Sequence, residues 1–277
     1  MTQTSYLESL WINTKTWKLK TSIELAAEKL KWIQDIVRVR WKRWFDSPFA
    51  ILDKYTQWII EWKVYTIWAF SNTWKSQLSY EYASYFLKKW KKILFISTEV
   101  WSGELLGYIA RNLYRQPYYS ILKWEYDINL DHFSKLHLYD NVHTFKEIEK
   151  LAEEIQPDII FIDFIQSINH DWASEYEKTT NLAIDMQKLA IDKNITIFSL
   201  SQVNNASRNS DSTAITLKWS WALFASSDVI FTLYRENGIL KLSIMKNKFW
   251  KANITFDMQI DFTLWWITLF EDTPDEF

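Results

Sequence analysis

Val64-Tyr65-Thr66-Ile67-Trp68-Ala69-Phe70-Ser71-Asn72-Thr73-Trp74-Lys75-Ser76 is the stretch on which the reading of this chain turns. Val64 to Ile67 is β-prone and apolar, a short loop follows, and Lys75-Ser76 opens a segment, Lys75 to Lys89, patterned as a helix. With glycine at positions 68 and 74 the stretch would read G-A-x-x-x-x-G-K-S between strand and helix, a phosphate-binding loop. Consecutive backbone N–H groups and the helix N-terminus hold phosphates, the Lys75 ammonium reaches the β and γ phosphates, and the Ser76 hydroxyl ligates Mg²⁺. The candidate ATP-binding residues are Ala69, Phe70, Ser71, Asn72, Thr73, Trp74, Lys75 and Ser76. As written, an indole at position 74 stands where the backbone must turn tightly against phosphate, so this loop should hold ATP poorly.

Composition bears directly on that indole. The 277 residues include 3 glycines and 18 tryptophans. Together these make up about 7.6% of the chain, close to the roughly 7% that glycine alone usually contributes. Trp17 lies in Lys15-Thr16-Trp17-Lys18, Trp41 and Trp44 in Arg40-Trp41-Lys42-Arg43-Trp44, and Trp90 between lysine pairs. Charged turns of this kind suit glycine and seldom hold a lone large ring. One reading is a gene from a bacterial lineage that uses UGA for glycine, translated with a table that uses it for tryptophan; UGG codons at these sites would exclude it. The other is a tryptophan-rich binding surface, whose rings should cluster rather than fall at turns.

Three further segments bring polar residues to strand ends. Ile93 to Ser97 delivers Thr98 and Glu99, Ile159 to Ile162 delivers Asp163, and Ile195 to Ser199 leads into Leu200-Ser201-Gln202. The C-terminal rim of an open α/β sheet is where such folds bind ligands. There Glu99 can orient a water for attack on a γ-phosphate and Asp163 can hold Mg²⁺ through its water shell. Taken singly, Glu99 also reads as a helix-capping acid, Asp163 as a turn residue and Gln202 as a loop residue.

Strands and helices alternate from Phe45 onward. Helices are expected near Glu104 to Tyr114, Thr144 to Ile155 and Ser174 to Lys193. A short strand is expected at Leu136 to Tyr139, and closing strands at Val229–Tyr234, Leu240–Met245, Ile254–Ile260 and Trp266–Phe270. Strands apolar on both faces argue an α/β fold, a mostly parallel sheet flanked by helices. Residues 1–44 read as a helical extension, with Thr21 to Val39 its helix and Lys31 to Arg43 basic, and 45–277 as one ATPase domain.

A net charge of −2 gives no overall attraction to polyanions, so contact with nucleic acid requires a local basic surface. Cysteine is absent, which excludes disulfides and thiolate chemistry. No run approaches the ~18 apolar residues of a membrane span, and Met1 to Leu10 lacks an export-signal layout. A cytoplasmic protein without membrane association is expected. His132, His137, His143 and His170 have no metal-ligand spacing.

In order along the chain, several segments resemble the RecA-like P-loop ATPase domain of DnaB-type replicative helicases. They are Trp44-Phe45-Asp46-Ser47, the phosphate loop beginning at Ala69, Phe95-Ile96-Ser97-Thr98-Glu99-Val100, Ile160-Phe161-Ile162-Asp163-Phe164-Ile165-Gln166 and Leu200-Ser201-Gln202-Val203-Asn204. Lys218-Trp219-Ser220-Trp221-Ala222 is similar to the family's serine-glycine turn. Lys246-Asn247-Lys248 sits where the family has a lysine and an arginine that enter a neighbouring subunit's ATP site. The resemblance implies ATP and Mg²⁺ as ligands, Lys75, Glu99, Gln202, Lys246 and Lys248 as catalytic residues, and Ser76 and Asp163 at the metal. It also implies single-stranded DNA as partner, contacted by Ser167 to Thr180 and Asn204 to Lys218 with Lys178, Arg208 and Lys218 available for backbone contacts, and a hexameric ring. Two departures stand out: lysine rather than arginine at 248, which lacks the bidentate fork, and no room before the ATPase core for the family's helical N-terminal domain. Three functions stay open at this point: a DNA helicase or translocase, an ATP-gated switch or assembly factor without unwinding, and a degenerate domain that has lost nucleotide.

Overall fold

The computed structural model describes residues 44–70, 73–123, 125–169, 175–203 and 221–271, together with 23, 24, 26–28, 30 and 31. The chain divides into two units, Met1–Arg43 and Trp44–Phe277. In the first, the described residues are helical and exposed. The rest of the expected helix Thr21 to Val39 lies outside the described residues.

The second unit is built on a nine-stranded sheet. Its strands are β3 (Val64–Phe70), β4 (Ile93–Ser97), β5 (Leu136–Tyr139), β6 (Ile159–Asp163), β7 (Thr196–Val203), β8 (Val229–Glu236), β9 (Ile239–Asn247), β10 (Ile254–Asp261) and β11 (Trp266–Glu271). The order is β11-β10-β9-β8-β3-β7-β6-β4-β5. From β5 to β8 all neighbours pair in parallel, and β8 to β11 form an antiparallel meander. β1 (Trp44–Phe45) and β2 (Ile59–Ile60) form a small separate ribbon around the short helix α1 (Ala50–Thr56), and sequence periodicity reveals neither of them.

Parallel strands need crossovers, and the amphipathic segments supply them. These are α2 (Lys75–Lys88), α3 (Ser102–Tyr114), α4 (Tyr118–Leu122), α5 (Phe145–Ile155) and α6 (Glu175–Lys193). α5 begins with a capping box: the Thr144 hydroxyl accepts from Glu147 N, and the Glu147 carboxylate accepts from Thr144 N. The segment Ser167 to Thr180, read as a DNA-facing loop, becomes helical from Glu175, because α6 starts there.

Period-two alternation sends each strand's side chains into two cores, one per face. Tyr65, Ile67 and Ala69 join one cluster, Val64 and Trp68 the other. On the first face a ladder of rings crosses five strands: Phe95 on Phe161 (5.1 Å), Phe161 on Phe198 (5.0 Å), Phe198 on Tyr65 (5.1 Å) and Tyr65 on Phe231 (6.5 Å), all near parallel. Offset stacking of this kind adds about 0.5–1.5 kcal/mol per pair beyond burial. On the second face Thr66 Oγ1 bonds both Ser199 Oγ (2.8 Å) and Ser227 Oγ (2.6 Å), so the buried hydroxyls satisfy one another.

Asp53 of α1 is buried, and both its carboxylate oxygens accept from Ser47 N, at 3.2 and 3.0 Å. Burial raises its pKa to about 6, and the nearby Asp46 charge adds to the rise against the Ser47 hydrogen bonds. The folded state therefore binds the Asp53 proton more tightly than the unfolded chain, so this contribution is complete below the unfolded pKa and fades as pH rises through 6. The chain should gain about 1 kcal/mol between pH 7 and pH 5 from this group. Urea unfolding at the two pH values should show the gain in the chain with Asp53 and its loss in Asp53→Asn.

Candidate nucleotide site

At the C-terminal ends of β3, β4 and β7 the sheet opens into a cavity of about 470 Å³. Its walls include Ala69, Phe70, Thr73, Trp74, Lys75 and Ser76 from the loop after β3, and Glu99 and Gln202 from the neighbouring strand ends. Strand order explains the convergence, because β4 and β7 flank β6 and β7 flanks β3, so the four ends share one rim. Ser71 and Asn72 lie outside the described residues.

The loop closes through the Thr73 hydroxyl, which donates to Phe70 O at 2.5 Å. Trp74 is the N-cap of α2 at φ 65°, ψ 27°, and its side chain makes no capping hydrogen bond. The first turn itself carries no acidic residue, and the helix N-terminus with its partial positive charge borders the cavity. Lys75 is buried, with Nζ 3.2 Å from Asp163 Oδ1 and 4.7 Å above the Phe164 ring. Asp163 is 2% exposed, and its Oδ1 has no hydrogen-bond partner despite that ion pair. An acceptor so buried and so incompletely satisfied suits the water shell of a divalent cation.

Backbone lacing fixes the rim. Thr98 N donates to Asp163 O at 2.7 Å, and Phe164 N donates to Thr98 Oγ1 at 3.2 Å, which ties β4 to β6 immediately behind Glu99. Glu99 itself is exposed to the cavity. Gln166, quoted in the sequence only as part of a longer segment, brackets Gln202: its Nε2 donates to Ser201 Oγ (2.8 Å) and Gln202 O (2.9 Å). Lys178 Nζ in turn donates to Gln166 O at 2.8 Å. The lysine expected at DNA thus touches the segment that brackets Gln202.

Lys246 and Lys248 do not line this cavity. Lys246 Nζ donates to Phe224 O and Ala225 O, and its pKa is lowered to about 8, first by burial and then by Lys248. Lys248 pairs with Asp228 at 3.1 Å. Arg208 and Lys218 lie outside the described residues. Among the described residues no cluster of three or more His, Asp or Glu is placed to hold a metal by itself, and no helix is long and apolar enough to cross a membrane.

Sequence reading missed five further residues of the cavity wall, Gln77, Tyr80, Tyr108, Arg111 and Trp265. The available signal was the pairs Gln77/Glu81 and Arg111/Arg115, each four apart on helices that pack together. There Glu81 accepts two bonds from Arg115 (2.7 and 2.5 Å) and one from Asn112 (3.0 Å).

Among the described residues eleven non-glycine residues have positive φ, and five are tryptophans: Trp58, Trp62, Trp74, Trp90 and Trp265. Tryptophan has no steric reason to favour that region, and glycine has. Trp68 lies in the middle of the sheet at 1% exposure, with Nε1 buried and unbonded.

No protein-family model matches the chain, and no curated protein matches it. Solved structures do. One of them, described as an ATPase domain, superposes with a TM-score of 0.71 at 16% identity, covering 92% of this chain and all of that one. A DnaB-like replicative helicase, in a structure that concerns its interactions with primase, superposes with a TM-score of 0.71 at 15% identity, covering 96% of this chain and 70% of that one. The chain has the RecA-like α/β fold of DnaB-type ATPase domains, a mostly parallel sheet flanked by helices with closing antiparallel strands.

Proposed function

We propose that the chain is an ATP-hydrolysing, DnaB-like translocase on single-stranded DNA, and that glycine stands at positions 68 and 74 of the natural protein. The observation that carries this is the meeting of Lys75 with Asp163 at 3.2 Å beside Glu99 and Gln202, at the open end of a parallel sheet.

In this reading the loop N–H groups and the start of α2 bind the triphosphate, and Lys75 exchanges Asp163 for the β and γ phosphates. Ser76 and Asp163 would hold Mg²⁺, which would neutralise charge on the phosphate oxygens; Asp163 Oδ1, buried and ion-paired to Lys75 but without a hydrogen bond, supports that assignment. Glu99, free in the cavity, accepts the proton of the attacking water. Gln202, its backbone fixed through Gln166, senses the γ-phosphate. Lys246 and Lys248 lie outside their own chain's cavity and so would act on a neighbouring subunit, in keeping with a hexameric ring. The positive φ of Trp74 supports glycine there.

ATP turnover by the full chain carrying Trp68→Gly and Trp74→Gly tests the proposal, measured with and without single-stranded DNA. Stimulation of about tenfold or more is the expected result. Turnover that ignores DNA would leave an ATP-gated switch, and absent turnover a degenerate domain.

A further inference from the structure

Lys178 has surroundings that disagree with its expected partner. The resemblance sets it at single-stranded DNA, yet its Nζ donates to Gln166 O at 2.8 Å, and the Gln166 side chain in turn bonds Ser201 and Gln202 at the polar end of β7.

Sheet register shows why that contact matters. β6 ends at Asp163, which pairs with Leu200, whereas β7 runs on to Val203. Ser201, Gln202 and Val203 therefore have a strand on one side only, β3, through Trp68, Ala69 and Phe70. On the other side β6 supplies no further rung, and backbone groups left without a rung need another partner. The Gln166 carboxamide takes that place. Its Nε2 donates to Gln202 O at 2.9 Å and to Ser201 Oγ at 2.8 Å, and its Oε1 accepts from Gln202 N at 3.4 Å. Donating to the carbonyl and accepting from the N–H of one residue is what a paired strand does, so a side chain here replaces a rung of backbone.

The turn Ile165–Ser167 brings Gln166 to this position, following closely on Asp163 and anchored by the buried side chains of Ile165 and Ile168. One short segment thus carries both the carboxylate that meets Lys75 and the amide that holds Gln202. Lys178, near the start of α6, pins the backbone of that same glutamine through a charged donor, the stronger kind of hydrogen bond.

We propose that Gln166 and Lys178 are positioning residues for ATP hydrolysis: the Gln166 carboxamide sets the backbone from which Gln202 reaches the cavity, Lys178 holds Gln166, and Lys178 therefore serves the ATP site rather than DNA. The inference rests on the ATPase reading and deepens it. Neither residue lines the cavity, so their loss should show in turnover and not in nucleotide binding.

The test uses the full chain carrying Trp68→Gly and Trp74→Gly, first without DNA. Gln166→Ala should lower kcat for ATP by about tenfold and leave KM within about twofold, the scale of one lost hydrogen bond felt only in the transition state. Lys178→Met should lower kcat by about fivefold, and Lys178→Arg, which keeps a charged donor, should restore it to within about twofold of the parent. The double variant Lys178→Met with Gln166→Ala should be no slower than Gln166→Ala alone, because the lysine acts through that carboxamide. Single-stranded DNA affinity, read by fluorescence anisotropy, should move by less than about twofold in Lys178→Met. Unchanged DNA-free turnover in Lys178→Met would overturn the proposal, as would multiplied losses in the double variant. Weaker DNA binding with turnover intact, and a salt slope smaller by about one, would make Lys178 a phosphate contact instead. Where Gln166→Ala does not fold, Lys178→Met against Lys178→Arg decides alone. A parent chain that turns over ATP while every variant matches it defeats this inference only; a parent chain without turnover defeats the ATPase reading as well.

Discussion

Replacing Trp74 by glycine should tighten Mg-ATP binding by about a hundredfold or more. Glycine leaves the loop backbone open to the phosphates where a side chain now stands against them. The Trp74 indole lines the cavity, 5.2 Å from the Phe262 ring and 5.8 Å from that of Trp265. An L-residue in the left-handed region costs about 1–2 kcal/mol relative to glycine, but Trp74 at φ 65° bears that cost in the fold itself, so its relief adds to stability rather than to affinity. At tenfold in affinity for every ~1.4 kcal/mol, a hundredfold gain corresponds to about 2.8 kcal/mol. Trp74→Ala removes the ring but keeps a Cβ in the turn, and should recover only part of the gain. Titration calorimetry on the three chains measures this directly. Tight ATP binding by the chain with tryptophan at 74, unchanged by glycine, would defeat both the recoding and the phosphate-loop geometry.

Glu99→Gln, made in the chain with glycine at 68 and 74, should lower ATP turnover by about 10²–10⁴-fold, the range for loss of a positioned general base. Mg-ATP affinity should stay within about threefold, because Glu99 touches neither Lys75 nor Asp163 in the hydrogen-bond and ion-pair network. That split between turnover and binding is the signature of a group acting on the attacking water rather than on the ground-state nucleotide. Steady-state phosphate release and equilibrium binding, measured side by side, decide it. A parallel loss of affinity and turnover would make Glu99 a binding residue and move the catalytic base elsewhere on the rim.

Much of the scaffold was legible from patterning. The apolar runs at Val64, Ile93, Ile159 and Ile195 are strands because a parallel strand buried on both faces leaves no place for polar side chains. The capping pair Thr144 and Glu147 marked the start of α5 for a purely local reason, reciprocal hydrogen bonds within one turn. The ribbon of β1 and β2 escaped because each strand is two residues long, too short to have a period. The phosphate-loop part of the site was legible because its residues are adjacent in the chain. The wall of Arg111 and Trp265 was not, since the two lie 154 positions apart and meet only through tertiary packing.

The sequence by itself determined the alternation of strands and helices, the lysine-serine opening of α2, the polar residues at strand ends and the scarcity of glycine beside an excess of tryptophan. All are properties of neighbouring residues or of composition, and short-range sterics and burial suffice to read them. Tertiary structure alone decided the order of strands, and with it that Glu99, Asp163 and Gln202 share a rim with Lys75. It alone set Lys246 and Lys248 apart from that rim and left Arg111 buried without an anion. These depend on long-range pairing, where hydrogen-bond register and two-sided core packing choose among arrangements that local patterning leaves equal in energy.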